Sequence, residues 1–163
     1  MRKSYLLTLS EPRIFWTTTL AVLCGLNFII ANAQAQIKMQ IKTLPEEARA
    51  LTTAEIKTIF ANVRDDAQVQ DKKATRAINF WYADGRFENN WSRADSNGRV
   101  TGRWWAENNQ RCIIITQGLP EFEGQKRCSP VYQYGGAYLS VEADGRRVHG
   151  VHRLSPISID KVD

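Results

Sequence analysis

Histidine and cysteine are scarce in this chain, with two of one and three of the other among 163 residues. So few soft ligands exclude most metal centres, because a zinc site needs three or four converging donors. His149-Gly150-Val151-His152 is the only HxxH string. It falls in an expected strand, where residues three apart point to opposite faces and share no ion. No serine sits in a Gly-x-Ser-x-Gly elbow, and the chain has neither a Walker loop nor a dinucleotide fingerprint. Asp65-Asp66 and Glu121-x-Glu123 read as solvated loop charges rather than an acid/base pair. The expectation is a non-enzymatic protein with no catalytic residue, no cofactor and no metal. Only a cleft in which a carboxylate converges on His149 or His152 would bring back a hydrolytic reading.

Charge of one sign is also in short supply. The formal net charge is +5, and part of it belongs to the N-terminus. Arg2, Lys3 and Arg13 precede an apolar run from Ile14 to Ala31, followed by the small-residue triplets Ala31-Asn32-Ala33 and Ala33-Gln34-Ala35. This is the pattern of a secretory signal cut after Ala35, or after Ala33, with an uncleaved membrane anchor as the competing reading. Removing residues 1–35 takes away three basic residues and one acid, which leaves +3. A balance that small excludes nucleic acid as an expected partner. A membrane is contacted only if the segment stays uncleaved. The expected location is periplasmic or secreted.

Cleavage also settles the odd cysteine count. Cys24 leaves with the signal, and Cys112 and Cys128 remain as a pair fit for one disulfide in an oxidising compartment. The organisation expected is residues 1–35 as signal, 36–50 as leader or edge strand, and 51–163 as one mainly-β domain with an N-terminal helix.

Thr52-Thr53-Ala54-Glu55 has capping-box spacing, with Leu51 and Ile56 placed for a hydrophobic staple. Ile56, Ile59, Phe60 and Val63 share one face, which predicts a helix from Thr53 to about Asn62. Arg64 to Arg76 shows no periodicity and reads as a loop. From Ala77 onward, turn pairs recur at Asp84-Gly85, Asn97-Gly98, Asn108-Asn109, Gly135-Gly136 and Asp144-Gly145. Each lies between aromatic or β-branched runs, the mark of an antiparallel meander. The fold class is therefore α+β and mainly β: one short helix, then about six to seven strands forming a curved sheet or small barrel with one disulfide.

Two-residue turns fix which residues face one another. A turn at Asp84-Gly85 sets Tyr82 against Phe87 and Ile78 against Trp91. One at Asn97-Gly98 sets Trp91 against Trp104, and one at Asn108-Asn109 sets Trp104 against Ile113. The predicted core row is thus Ile78, Trp91, Trp104 and Ile113, with Phe80, Phe87, Val100 and Ile115 on the same face. Around Asp144-Gly145, Val141 meets Val148 and Glu142 meets Arg147. The same register sets Glu88 against Glu107, a repulsion that predicts a bulge near Asn89-Asn90. Cys112 lies on the outer face beside Trp105. The bridge is expected to join the strands Arg111 to Thr116 and Arg127 to Tyr134, closing the loop Gln117 to Lys126 as a rigid protruding element. Trp81, Arg103, Trp105 and Phe122 form the candidate binding surface.

From Leu51 to His152 the order of parts resembles a family of small exported bacterial proteins known as domain of unknown function 995. The residues that carry the resemblance are Leu51-Thr52-Thr53-Ala54-Glu55-Ile56, Tyr82-Ala83-Asp84-Gly85, Gly102-Arg103-Trp104 leading to Cys112, and Cys128 followed by Val131-Tyr132 and Tyr138. It implies a periplasmic or secreted location in a Gram-negative bacterium and supplies no active site. Two functions follow as expectations. One is a binding module that presents a β surface to an envelope protein or polymer. The alternative is a small β-barrel that binds a compact apolar ligand, recognisable by a cavity of some 300 Å³ or more lined by the tryptophan row.

Overall fold

The structure, a computed structural model, describes residues 40–157. The signal segment, its two cleavage sites and residues 36–39 of the leader lie outside the described residues. Among those described, no helix is long and apolar enough to cross a membrane.

Helix α1 (Thr53–Ile59) begins at the expected box. The Thr52 hydroxyl accepts from the Glu55 amide, and the Glu55 carboxylate accepts from the Thr52 amide at 2.8 Å. The helix stops short of Asn62, which takes a left-handed φ of 56° and turns the chain into the sheet. A second clamp fixes where α1 sits: the Asn109 side chain accepts from the Thr53 amide at 2.9 Å, and the Asn109 amide donates to the Thr53 hydroxyl at 2.8 Å.

The strands are β1 (Arg49–Ala50), β2 (Val63–Val69), β3 (Arg76–Trp81), β4 (Arg86–Arg93), β5 (Ser96–Glu107), β6 (Gln110–Gln117), β7 (Lys126–Tyr134), β8 (Ala137–Val141) and β9 (Val148–Pro156). From β2 to β9 each pairs antiparallel with the next, and β9 pairs with β2, so eight strands close into a barrel; β1 is added along β7. Closure leaves no free edge in the ring. The strand count exceeds the expected six to seven partly because Val63–Val69 is a strand and not a loop. Its inward positions include Asp65 between Val63 and Ala67, and an acid at a core position hides the alternation that marks a strand.

Two turns differ from expectation. The chain reverses after β3 through three residues, Ala83 to Gly85, with Gly85 at φ 82° and its amide bonded to the Tyr82 carbonyl. The added residue shifts the register by one and pairs Trp81 with Phe87 and Ala77 with Trp91. Ala77, Asn79 and Trp81 therefore face the core, and Ile78 and Phe80, expected inside, face outward. The next reversal lies at Ala94-Asp95, not Asn97-Gly98, and pairs Trp91 with Gly98. Glu88 then never meets Glu107: it pairs with Thr101 in the ladder and with Arg99 in a 2.7 Å ion pair. The bulge near Asn89-Asn90 is absent, and the register shift falls instead between Thr101 and Gly102.

The remaining turns match expectation. Asn108 and Asn109 both have positive φ, and Trp104 faces Ile113. Tyr134 faces Ala137, Val141 faces Val148, and Glu142 bonds Arg147 at 2.9 Å. Cys112 and Cys128 face each other across β6 and β7 and are disulfide-bonded, with Cys112 opposite Trp105 on β5. The bridge closes residues 113–127, and on the chain-entropy model a loop of that length is worth about 3 kcal/mol. Reduction is expected to lower the urea midpoint by a corresponding amount while the barrel stays folded; equal midpoints with and without reductant would show that the bridge constrains nothing.

The loop after β6 does not protrude. Gly118, at φ 104°, lets the backbone cross β5 so closely that a Cβ there would stand 2.1 Å from the Arg99 carbonyl oxygen. Leu119 and Phe122 fold back against the core cluster. On the far side, the outward face of β8 and β9 forms a second apolar cluster, Ala137, Leu139, Val141, Val148 and Val151. Ile41, Leu44 and Ala48 of the leader cover it. Within the described leader only Arg49–Ala50, strand β1, is a strand; ahead of it the chain is tied down by the Lys42 carbonyl to the Val148 amide at 3.0 Å and by the Leu44 amide to the Arg146 carbonyl at 3.0 Å.

Candidate ligand cavity

Helix α1 plugs one end of the barrel. Leu51, Ile56 and Phe60 are buried with Trp81, Phe87, Val100, Trp104, Ile115 and Val131. Phe60 meets Trp81 edge-on at 6.0 Å, and Trp81 stacks on Phe87 at 4.5 Å. Above this aromatic floor, toward the turns away from α1, the barrel is hollow. A cavity of about 810 Å³ is bounded by Ala67, Ala77, Trp91, Ile113 and Ile115 on the walls and by Leu119 and Phe122 of the folded-back loop. Trp91 lines it, whereas Trp104 lies in the core below.

The floor is not wholly apolar. Asp65, fully buried, accepts at one oxygen from Asn79 Nδ2 at 2.9 Å, Trp81 Nε1 at 3.0 Å and His152 Nδ1 at 2.8 Å. A carboxylate can only accept, so Nδ1 carries the hydrogen and His152 Nε2 is left to accept from the Ser140 hydroxyl at 2.8 Å. Ser140 Oγ in turn accepts from Arg111 Nη2 at 2.9 Å. The Arg111 guanidinium lies 4.5 Å over the Phe60 ring and 4.4 Å over that of Trp81. A buried cation and a buried anion are thus joined through a histidine and a serine.

Burial alone would push the Asp65 carboxyl up, but His152, Arg111 and the Trp81 N–H outweigh it and hold it below the usual range. Burial pulls Arg111 down to about 10, against the charge of Asp65, and it stays a cation at neutral pH.

The two histidines depart from the expected geometry. β9 carries an extra residue at this point, since Val141 pairs with Val148 and Ser140 with Gly150. His149 occupies the bulge and turns inward, so both imidazoles border the cavity rather than opposite faces of the sheet. His149 Nε2 lies 3.0 Å from Ser129 Oγ. Burial, followed by the neighbouring His152 and the charge of Arg111, pushes the His149 imidazole down to about 4.

Asp65, His152 and Ser140 have the connectivity of a hydrolase triad, the convergence that would restore a hydrolytic reading. The hydroxyl decides against it. Ser140 is 0% exposed, does not border the cavity, and shares its oxygen between His152 and Arg111. A nucleophile must have a site about 3 Å away for the reacting carbon, and this one has none. Glu107, Cys112 and Cys128 bring their ligand atoms together as metal donors would, but the two sulfurs are joined in the disulfide.

The four residues expected to form an outer binding surface are dispersed. Trp81 is 2% exposed and belongs to the floor, because the added turn residue reverses its face. Phe122 lines the cavity, stacked against Arg127 at 4.8 Å. Arg103 is exposed and donates to the Asp84 carbonyl at 3.1 Å, and Trp105 is half-buried beside Lys126 on the disulfide face. Asp65, expected as a solvated loop charge, is instead a fully buried strand residue, and Arg111 and Ser140 are not among the expected residues. The signal that could have found the first is the spacing Val63, Asp65, Ala67, Val69. No family model, no curated protein and no solved structure matches this chain.

Proposed function

We propose that the protein binds a compact small molecule inside its barrel and holds it without transforming it. The observation that carries this reading is a cavity of about 810 Å³ above a packed aromatic floor, within the roughly 300–1,000 Å³ of small-molecule sites. The walls combine aromatic and aliphatic side chains with polar groups, charged residues standing at the mouth and Asn79, Arg111 and His152 rising from the floor. The surface-module reading loses its main support, since Trp81 and Phe122 turn inward.

The compartment we propose is the periplasm or the extracellular space, supported by the Cys112–Cys128 bridge together with the signal-like N-terminus. Membership of the domain-of-unknown-function 995 family is part of the same proposal, resting on the motifs quoted above.

The test uses N-phenyl-1-naphthylamine, whose fluorescence rises in apolar surroundings. Saturable binding at one site is expected, weakened at least tenfold by Ile113→Trp, which fills the wall from β6. Binding that never saturates, or that ignores Ile113→Trp, would return the site to the outer surface.

A further inference from the structure

We infer that the ligand is a monocarboxylate with an apolar body, seated with its carboxylate on Arg111 and its body between Trp91, Ile113 and Phe122. This rests on the cavity being the binding site and adds the chemical class of the occupant.

Among the side chains that border the cavity, two buried nitrogens lack a hydrogen-bond partner, Arg111 Nη1 and Trp91 Nε1. Both are donors. A buried donor left unmade is costly, and a binding site is where such groups are kept for a ligand's acceptors. Asp65 Oδ1 is the one buried acceptor likewise unpartnered among the described residues, but Asp65 does not border the cavity. The demand of the cavity is therefore for acceptors.

Arg111 is built to answer an anion. It is 7% exposed, and its guanidinium cannot swing away, being laid over Phe60 and Trp81 and tied by Nη2 to Ser140. With Nη2 held by Ser140, Nη1 is a charged donor fixed in place and direction, which the flexible stem of a lysine would not provide. The mouth contributes little selectivity, because Arg93 and Arg127 stand there among Asp71, Glu121 and Glu142. Selection for the anion falls to the floor. Trp91, which pairs with Ala77 near the mouth, offers its N–H to a second acceptor on the ligand body.

The experiment compares 2-naphthoate with 2-naphthalenemethanol, two bodies of one size with and without the charge, by titration calorimetry on the full chain. The native protein is expected to prefer the acid at least tenfold. Arg111→Lys keeps a cation but loses the fixed Nη1 donor, and should reduce that preference at least threefold. Arg111→Met should abolish it, so that acid and alcohol bind that variant within twofold of each other. If Arg111→Met does not fold, the native preference and Arg111→Lys still decide the matter. Equal affinity of the native protein for both probes overturns the carboxylate and leaves the cavity reading standing; so does an Arg111→Lys protein that keeps the full preference. Binding of neither probe overturns both.

Discussion

Replacing Asp65 with alanine is expected to remove about 3–5 kcal/mol of stability, the cost of breaking a buried ion pair from one side. Asn79, Trp81 and His152 each lose their acceptor at once, and Arg111, 7% exposed, keeps its charge without the buried anion joined to it through His152 and Ser140. The urea midpoint reports the loss. The variant Asp65→Ala combined with Arg111→Met should be less damaging than the two single changes added together, because the stranded charge disappears with its partner. A single Asp65→Ala variant within about 1 kcal/mol of native would mean that water enters the floor and that the network does not hold the barrel.

Acid should weaken the protein well above the range in which exposed carboxylates titrate. His149 titrates near 4 in the folded chain, against about 6.5 when unfolded. Below 6.5 the unfolded chain takes up a proton that the folded one refuses, so stability falls as pH falls from 6.5 toward 4. The full difference is about 3 kcal/mol. Asp65, whose folded value is lowered, adds a loss of the same sign at lower pH, as its unfolded form binds a proton first. His149→Gln should flatten the upper part of the profile, between pH 6.5 and 4, and leave the lower part in place. An unchanged slope in His149→Gln would assign the acid sensitivity to other groups.

How much of the molecule is legible in its sequence depends on the range of the forces that decide each element. Local chemistry can be read directly: the Thr52 to Glu55 box, the paired asparagines at 108 and 109, and the Asp144-Gly145 hairpin with its Glu142–Arg147 pair all hold. The disulfide follows from the cysteine count, and the place of Cys112 beside Trp105 from the one register those asparagines fix. Asp84-Gly85 does belong to a turn, but that turn is one residue longer than the dipeptide suggests, and in a strand one residue is the whole difference between inside and outside. Trp81 and Ile78 change places for that reason alone.

The site is less legible than the fold. Its polar members, Asp65, Asn79, Arg111 and Ser140, stand at inward positions, where the alternation rule expects apolar residues. A pattern search reads such residues as breaks in a strand. The His149 bulge is a matter of strand pairing, which spacing within β9 cannot reveal. The hollow above the floor depends on Ala67 and Ala77 being small where their neighbours are large, and volume of that kind emerges only when eight strands are brought around one axis.

The seam between β2 and β9 has a consequence for the order in which the molecule assembles. Every other junction of the ring joins neighbours in the chain and can form as a hairpin, whereas Asp65 and His152 are 87 positions apart. Loop-closure entropy makes such a contact late. The polar clasp is thus the final stitch, and until β9 arrives the other strands stand as an open sheet with two bare edges. A chain ending before Val148 would keep those edges and seek another chain to cover them. For this barrel, β9 is what separates a closed ring with a pocket from an open sheet with edges to pair.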